Sequence, residues 1–188
     1  SSASKFQRFP GSQIAYWVSD HLANVFTDGT DLSNVAGPKI GMRTGNNDRF
    51  LRLWHEVAIN NICFGADNAI SAKNTGKKWF PYCKGGRYRK WYGNNEYIVN
   101  WENDGFELQN TKHPTQNRIW ATNFNLDYIF RPNVNWSDIT SSGFASRISL
   151  GGELFDASGL SCFPPNDVQY GVLAYLNSVV VSYFLQIL

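Results

Sequence analysis

Residues 79–97 read WFPYCKGGRYRKWYGNNEY, with Lys84, Arg87, Arg89 and Lys90, a Gly-Gly pair, and no acid before Glu96. The wider run 68–95 adds Lys73, Lys77 and Lys78, giving seven basic residues and not one carboxylate. Lysine and arginine at this density neutralise phosphates, and backbone N–H groups join them where glycine lets the main chain come close. Lys77, Lys78, Lys84, Gly85, Gly86, Arg87, Arg89 and Lys90 are therefore the candidate phosphate contacts. Trp79, Tyr82, Tyr88, Trp91 and Tyr92 either stack on bases or pack a sheet.

A second polar cluster surrounds the turn T-G-N-N, where Lys39, Arg43, Thr44, Asn46, Asn47, Arg49 and Arg52 fall close together. A third is the loop 113–123, with Gln116, Asn117 and Arg118. Arginine matches guanine O6 and N7, and Asn or Gln matches adenine N6 and N7. Arg43, Thr44, Asn46, Asn47, Arg49, Gln116, Asn117 and Arg118 are thus candidates for base reading or for a junction beside it. The same residue types also shape turns with no ligand at all.

Catalytic constellations are harder to assemble. No Gly-rich loop runs into a Lys-Ser/Thr pair, and no G-x-S-x-G is present. His21, His55 and His113 follow no triad order. A nuclease core would want E-x-K, but Glu107-Leu108-Gln109 has Gln where Lys belongs. The acids of ENDGFE read as a solvated loop rather than a metal site. Cys63, Cys83 and Cys162 form no close pair, and neither C-x-x-C nor H-x-x-x-H occurs, so neither a zinc site nor a disulfide framework is expected. No catalytic residue and no metal ligand is assigned.

At 188 residues, with 43% hydrophobic and 15% aromatic residues, the chain is long enough for one domain with its own core. The formal net charge is only +2, so the positive charge is concentrated rather than general. Reduced thiols and the lack of a signal-like start point to the cytoplasm. The apolar C-terminal run is interrupted by Asn177 and Ser178 and is too short to span a bilayer, so no membrane partner is expected. The start SSASKF and the stop in mid-pattern at YFLQIL read as a fragment of a longer protein.

The elements that must carry these side chains follow from periodicity. Residues 12–26 read as a helix capped by Ser12, with Ile14, Trp17, Val18, Leu22 and Phe26 on one face. Residues 39–44 and 50–57 read as strands around the T-G-N-N turn, and 60–78 as a long loop. Strands are predicted at 79–82, 88–92 and 96–101. A strand at 88–92 would send Arg87 and Arg89 to one face and Tyr88 and Lys90 to the other. Residues 103–117 read as loop with one helical turn; NLDYIF, NWSDIT, FASRIS and ELFDAS are short strand candidates. A closing helix over 167–188 takes Asp167 as its cap. The expected class is α+β, a strand-rich mixed sheet with flanking helices: a linker and helix over 1–37, a strand-rich core over 38–166, and the closing helix.

The motifs also carry a resemblance. K-I-G-M-R-T-G-N-N-D-R-F-L-R-L-W resembles the segment that follows the catalytic domain in N6-adenine DNA methyltransferases of the PglX type, found in BREX phage-defence systems, and in related type II restriction-modification proteins. The resemblance extends through K-W-F-P-Y-C-K-G-G-R-Y-R-K-W-Y-G-N-N-E-Y and I-V-N-W-E-N-D-G. It returns at F-D-A-S-G-L-S-C-F and L-A-Y-L-N-S-V-V-V-S-Y-F-L, and the N-terminal P-G-S-Q-I-A-Y-W-V-S fits it too. It departs at Val179, where that family often has a lysine.

The resemblance implies a target recognition domain that grips double-stranded DNA beside a catalytic domain of the same chain. That catalytic domain would carry N-P-P-Y and bind S-adenosylmethionine. The present sequence has only Phe163-Pro164-Pro165-Asn166, so no cofactor is expected within it. Two rivals fit less well: a carbohydrate-binding β-rich module, suggested by seven Trp and nine Tyr, and a free-standing specificity or RNA-binding subunit.

Overall fold

The computed structural model describes residues 3–140 and 142–188. It is an α+β fold of two four-stranded sheets with flanking helices. After 3-10 turns at Ala3–Arg8 and Pro10–Ser12 come α1 (Asp20–Asp28), α2 (Leu32–Ala36), β1 (Pro38–Lys39), α3 (Asn47–Phe50), β2 (Leu51–Leu53) and α4 (Ala69–Asn74). Then follow β3 (Trp79–Cys83), β4 (Tyr97–Asn100), α5 (Glu102–Asn110), β5 (Asn133–Ser137), β6 (Ser146–Ser149), β7 (Leu154–Phe155), β8 (Gly159–Cys162), α6 (Gln169–Leu176) and α7 (Val179–Leu185).

One sheet has the order β2-β4-β3-β7 and the other β1-β8-β5-β6. All pairings are antiparallel except β3 with β7. Pro81 stands in the middle of β3 although it cannot donate a ladder bond. Its parallel neighbour solves the problem by starting late: β7 pairs from Tyr82 onward. Ile98 and Val99 of β4, β-branched and buried, hold the centre of that sheet. Phe50, Phe80, Trp101, Leu108, Phe130 and Phe155 fill the core beneath it. A second core forms where Val134 and Cys162 meet Val172, Leu173 and Leu176 of α6.

Several sequence expectations are corrected. The first helix begins at Asp20, not near Ser12. Ser12 and Gly11 sit at positive φ (53° and 72°), and Ser19 supplies the cap through its Oγ to the Leu22 N–H. Ile14 and Trp17, expected on the buried face, are exposed. The loop expected over 60–78 contains α4, which Asn68 caps by accepting from the Ser71 N–H. The strand expected from 50 to 57 ends at Leu53, and NLDYIF is a 3-10 turn at Leu126–Tyr128.

No strand forms at 88–92. Trp91 takes φ 77°, and Gly93 and Asn94 follow at 126° and 62°, which no extended ladder permits. Trp91 instead lies along the free edge of β6, donating to Ser146 O and accepting from the Ile148 N–H, both at 2.9 Å.

The closing helix is two helices, and Asp167 does not cap it. The break is at Asn177, whose side-chain amide turns away to bind the Ser146 backbone: Oδ1 accepts from its N–H at 3.0 Å and Nδ2 donates to its carbonyl at 2.9 Å. Ser178 then caps α7.

Candidate nucleic-acid interface

The basic segment 84–90 leaves β3 and crosses the joint between the two sheets. Residues 156–158 link β7 to β8 there, and the main chains come very close. A Cβ on Gly85 (φ 73°) would lie 2.5 Å from Ser158 O, and one on Gly159 would lie 2.4 Å from Cys83 O. Gly85 is therefore needed by the crossing itself and is buried, whereas Gly86 is exposed.

Asp156 ties this joint together. It is 4% exposed; its Oδ2 accepts from the Tyr82 hydroxyl at 2.6 Å and from Lys84 Nζ at 3.3 Å, and its Oδ1 accepts from the Ser158 N–H at 2.7 Å. Burial first, and then the Asp156 charge, push the Tyr82 phenol well above its ordinary pKa, so it stays a neutral donor. Burial likewise pushes the Cys83 thiol up to about 12, which makes it an inert wall.

From below, Arg147 organises the same loop. It is 1% exposed and donates to Asn135 Oδ1, to the Arg89 carbonyl and to Ser137 Oγ, at 3.1, 3.4 and 3.3 Å. Ser137 Oγ passes its own proton to Gly86 O at 2.9 Å. Burial lowers the pKa of this guanidinium, which meets only neutral acceptors. Sequence reading missed both Arg147 and Asp156 as organisers. Alternation in β6 did not mark Arg147, because Ser146 on the opposite parity is buried as well.

The predicted phosphate contacts divide accordingly. Lys84 is bound to Asp156, Arg89 pairs with Glu96 at 3.6 Å, Lys90 donates to Asn177 O at 3.0 Å, and Lys77 donates to Asn60 O. Among the described residues, Arg87, Lys78 and the neighbouring Lys73 are exposed and take part in no salt bridge, although the Lys78 charge acts on Glu107. The aromatic set divides too: Tyr82 is buried and Trp79 half-buried, while Tyr88, Trp91 and Tyr92 stand at the surface.

In the T-G-N-N turn, Thr44 is buried and donates to Asn47 Oδ1 at 2.6 Å; Asn46 caps α3 by accepting from the Arg49 N–H at 3.0 Å. Arg49 reaches Glu107 through Nε and Nη2, at 2.9 and 2.6 Å, and Asn100 donates to the other Glu107 oxygen at 2.9 Å. These bonds, led by the one from Arg49, hold the Glu107 carboxyl below its ordinary pKa. Glu107 and Asp104 of ENDGFE thus have separate partners. Asp104 accepts from the Trp101 indole at 3.2 Å, and no His/Cys/Asp/Glu group able to hold a metal forms among the described residues. Arg43 remains exposed, with no side-chain partner among the described residues.

The loop 113–123 is an ordered finger. His113 N donates to Arg118 O and Trp120 N to Thr111 O, both at 2.9 Å. Arg118 folds onto Gln116 Oε1 at 2.6 Å, and Asn117 is exposed, with no side-chain partner among the described residues. Its base is joined to the T-G-N-N turn. Arg43 and Thr122 exchange both backbone hydrogen bonds, at 2.8 and 2.9 Å, and Gly45 lies so close to the Trp120 ring that a Cβ would sit 2.5 Å from it.

Two open clefts continue this surface. One, about 520 Å³, is bordered by Asn47, Asp48, Arg52, Glu56, Lys84 and Tyr97, so acids as well as cations line it. The next, about 440 Å³, is bordered by Lys84, Arg87, Tyr88 and Asp138. Lys84 belongs to both. The finger is thus bonded at its base to the turn, Asn47 of the turn shares one cleft with Lys84, and Lys84 shares the next with Arg87. Cationic groups, amides and exposed aromatics in a row suit an extended polyanion with bases. No helix among the described residues is long and apolar enough to cross a membrane.

Comparison with known proteins narrows the class. No family model matches the chain. It is 40% identical over 185 residues to the adenine-specific methyltransferase PglX of Lacticaseibacillus casei (strain Zhang), a match covering 97% of this chain and 15% of that protein. It is 37% identical over 181 residues to the adenine-specific methyltransferase BrxX of Escherichia coli O9:H4 (strain HS), covering 95% of this chain and 14% of that protein. The chain thus spans about 15% of the length of the curated relatives it matches.

Proposed function

We propose that the chain is the DNA-binding target recognition domain of a bacterial N6-adenine DNA methyltransferase belonging to a phage-defence (BREX) or restriction-modification system. The observation that carries this reading is that backbone bonds join the finger to the T-G-N-N turn, while Asn47 of that turn shares a cleft with Lys84, which borders the cleft of Arg87 as well. It is supported by a match that uses nearly the whole chain but a small segment of two adenine-specific methyltransferases. The chain contains no N-P-P-Y, so methyl transfer and S-adenosylmethionine belong to another part of the parent protein.

In this reading the exposed cations Lys73, Lys78 and Arg87 meet phosphates and set the register of the duplex. Asn117 and Arg43 face base edges, with Gln116 and Arg118 bracing the finger tip against each other. The catalytic domain acts on an adenine extruded from the duplex that this surface holds.

The test exchanges residues 115–123, in the full-length protein, for the matching finger of a relative with another target, and maps methylated adenines across a genome. The expected result is a changed methylated motif with activity retained. An unchanged motif with full activity would remove the finger from base reading.

A further inference from the structure

Resting on the duplex-binding reading above, we infer that the cleft between the 84–88 segment and residues 137–140 receives a single extrahelical nucleotide of the bound DNA, stacked on Tyr88. Its volume, about 440 Å³, falls within the roughly 300–1,000 Å³ range of small-ligand sites. Its floor is tied in place: Asp138 N donates to Ser158 O at 3.0 Å, a Cβ on Gly85 would lie 2.5 Å from that carbonyl, and the buried Arg147 donates to Ser137 Oγ.

Its walls have the two chemistries a nucleotide presents. Tyr88, 45% exposed, and Ile139, 87% exposed, come from the two bordering segments and offer an aromatic and an aliphatic surface. Extruded bases are commonly held between surfaces of that kind. Arg87 and Asp138 line the cleft as well, yet neither takes part in an ion pair among the described residues.

The carboxylate decides the ligand class. A site meant only for phosphate would not set Asp138 in the same cleft as Arg87, because a second anion repels the first. A ligand that satisfies both must carry an anion for the guanidinium and a donor for the carboxylate. A nucleotide with an amino-bearing base does so; Asp accepting from cytosine N4 is the simplest case. Thymine, whose exocyclic groups donate nothing, fits worse.

The experiment measures binding of the full-length protein to a duplex with one unpaired cytosine, the same duplex with an abasic residue at that position, and the fully paired duplex. The unpaired cytosine should be preferred over both. Tyr88→Ala should cut that preference by about 5- to 150-fold, the loss of one base–aromatic stack, a larger loss than any it causes in paired-duplex binding. Asp138→Asn should erase discrimination between unpaired cytosine and unpaired thymine. Equal binding to the abasic duplex, or a preference that survives Tyr88→Ala, overturns the inference while paired-duplex binding upholds the recognition reading. Deoxycytidine monophosphate bound as tightly as the bulged duplex overturns the assignment to DNA. Binding to none of the three duplexes overturns both readings.

Discussion

Lys84 Nζ lies 3.3 Å from Asp156 Oδ2, and the lysine side chain is 25% exposed while the aspartate is 5% exposed. The pair joins a surface residue to the joint between the two sheets. Removing one partner of a buried pair leaves an uncompensated charge, at about 3–5 kcal/mol. Lys84→Ala should therefore destabilise the fold by about 3 kcal/mol, the low end of that range, because Lys84 keeps some water. A lower urea midpoint with an unchanged m-value is the expected readout. A wild-type midpoint would show that Tyr82 and the Ser158 N–H suffice to hold the carboxylate.

Arg87 and Arg89 should behave differently despite their spacing. Arg87 has no partner among the described residues, whereas Arg89 is paired with Glu96. Arg87→Ala should weaken binding to all duplex sequences alike and reduce the slope of log K against log salt by about one. Arg89→Ala should reduce it by less, since its charge is already shared. Equal slopes for the two variants would contradict this division.

Glu107 gives a pH signature. Arg49 holds its folded pKa below the ordinary value, so the pairing contributes stability above the unfolded pKa, about 4.3 for Glu. That contribution is lost as pH falls from there through the folded pKa. Both partners are about half exposed, so the effect should be at most about 1 kcal/mol. Urea midpoints of the wild type should fall below about pH 4.3 more steeply than those of Glu107→Gln. Parallel curves would mean that the pair adds nothing.

What the sequence disclosed, and what it hid, divides along local and distant causes. The strand at Tyr97–Asn100 was legible because its β-branched centre states its own preference. So was Trp79–Cys83, and so was the gathering of positive charge. The 88–92 segment was not legible, because its course is fixed by bonds from Trp91 to β6, more than fifty positions away. Nor was the break at Asn177, whose partner is the Ser146 backbone. Capping residues misled in two places: Asp167 does not cap the closing helix, and Ser12 gives way to Ser19 because positive φ at Gly11 and Ser12 excludes a helix start there. Within the candidate site, the cations were readable as residue types. Their pairing state was not, because it depends on Glu96, on Asp156 and on the Asn177 and Asn60 carbonyls.

The two hydrogen bonds that join Arg43 to Thr122 run between main-chain atoms, and therefore do not depend on which side chains those positions carry. A finger suspended in that way is free to drift in sequence at its exposed tip, residues 115–118, without loosening the attachment. The exception is the Gly45–Trp120 contact, which admits no added atom. Mutational freedom is thus concentrated at the tip and withheld from the root, the distribution that, under the proposed recognition role, would let a lineage acquire new targets without rebuilding the scaffold that presents them.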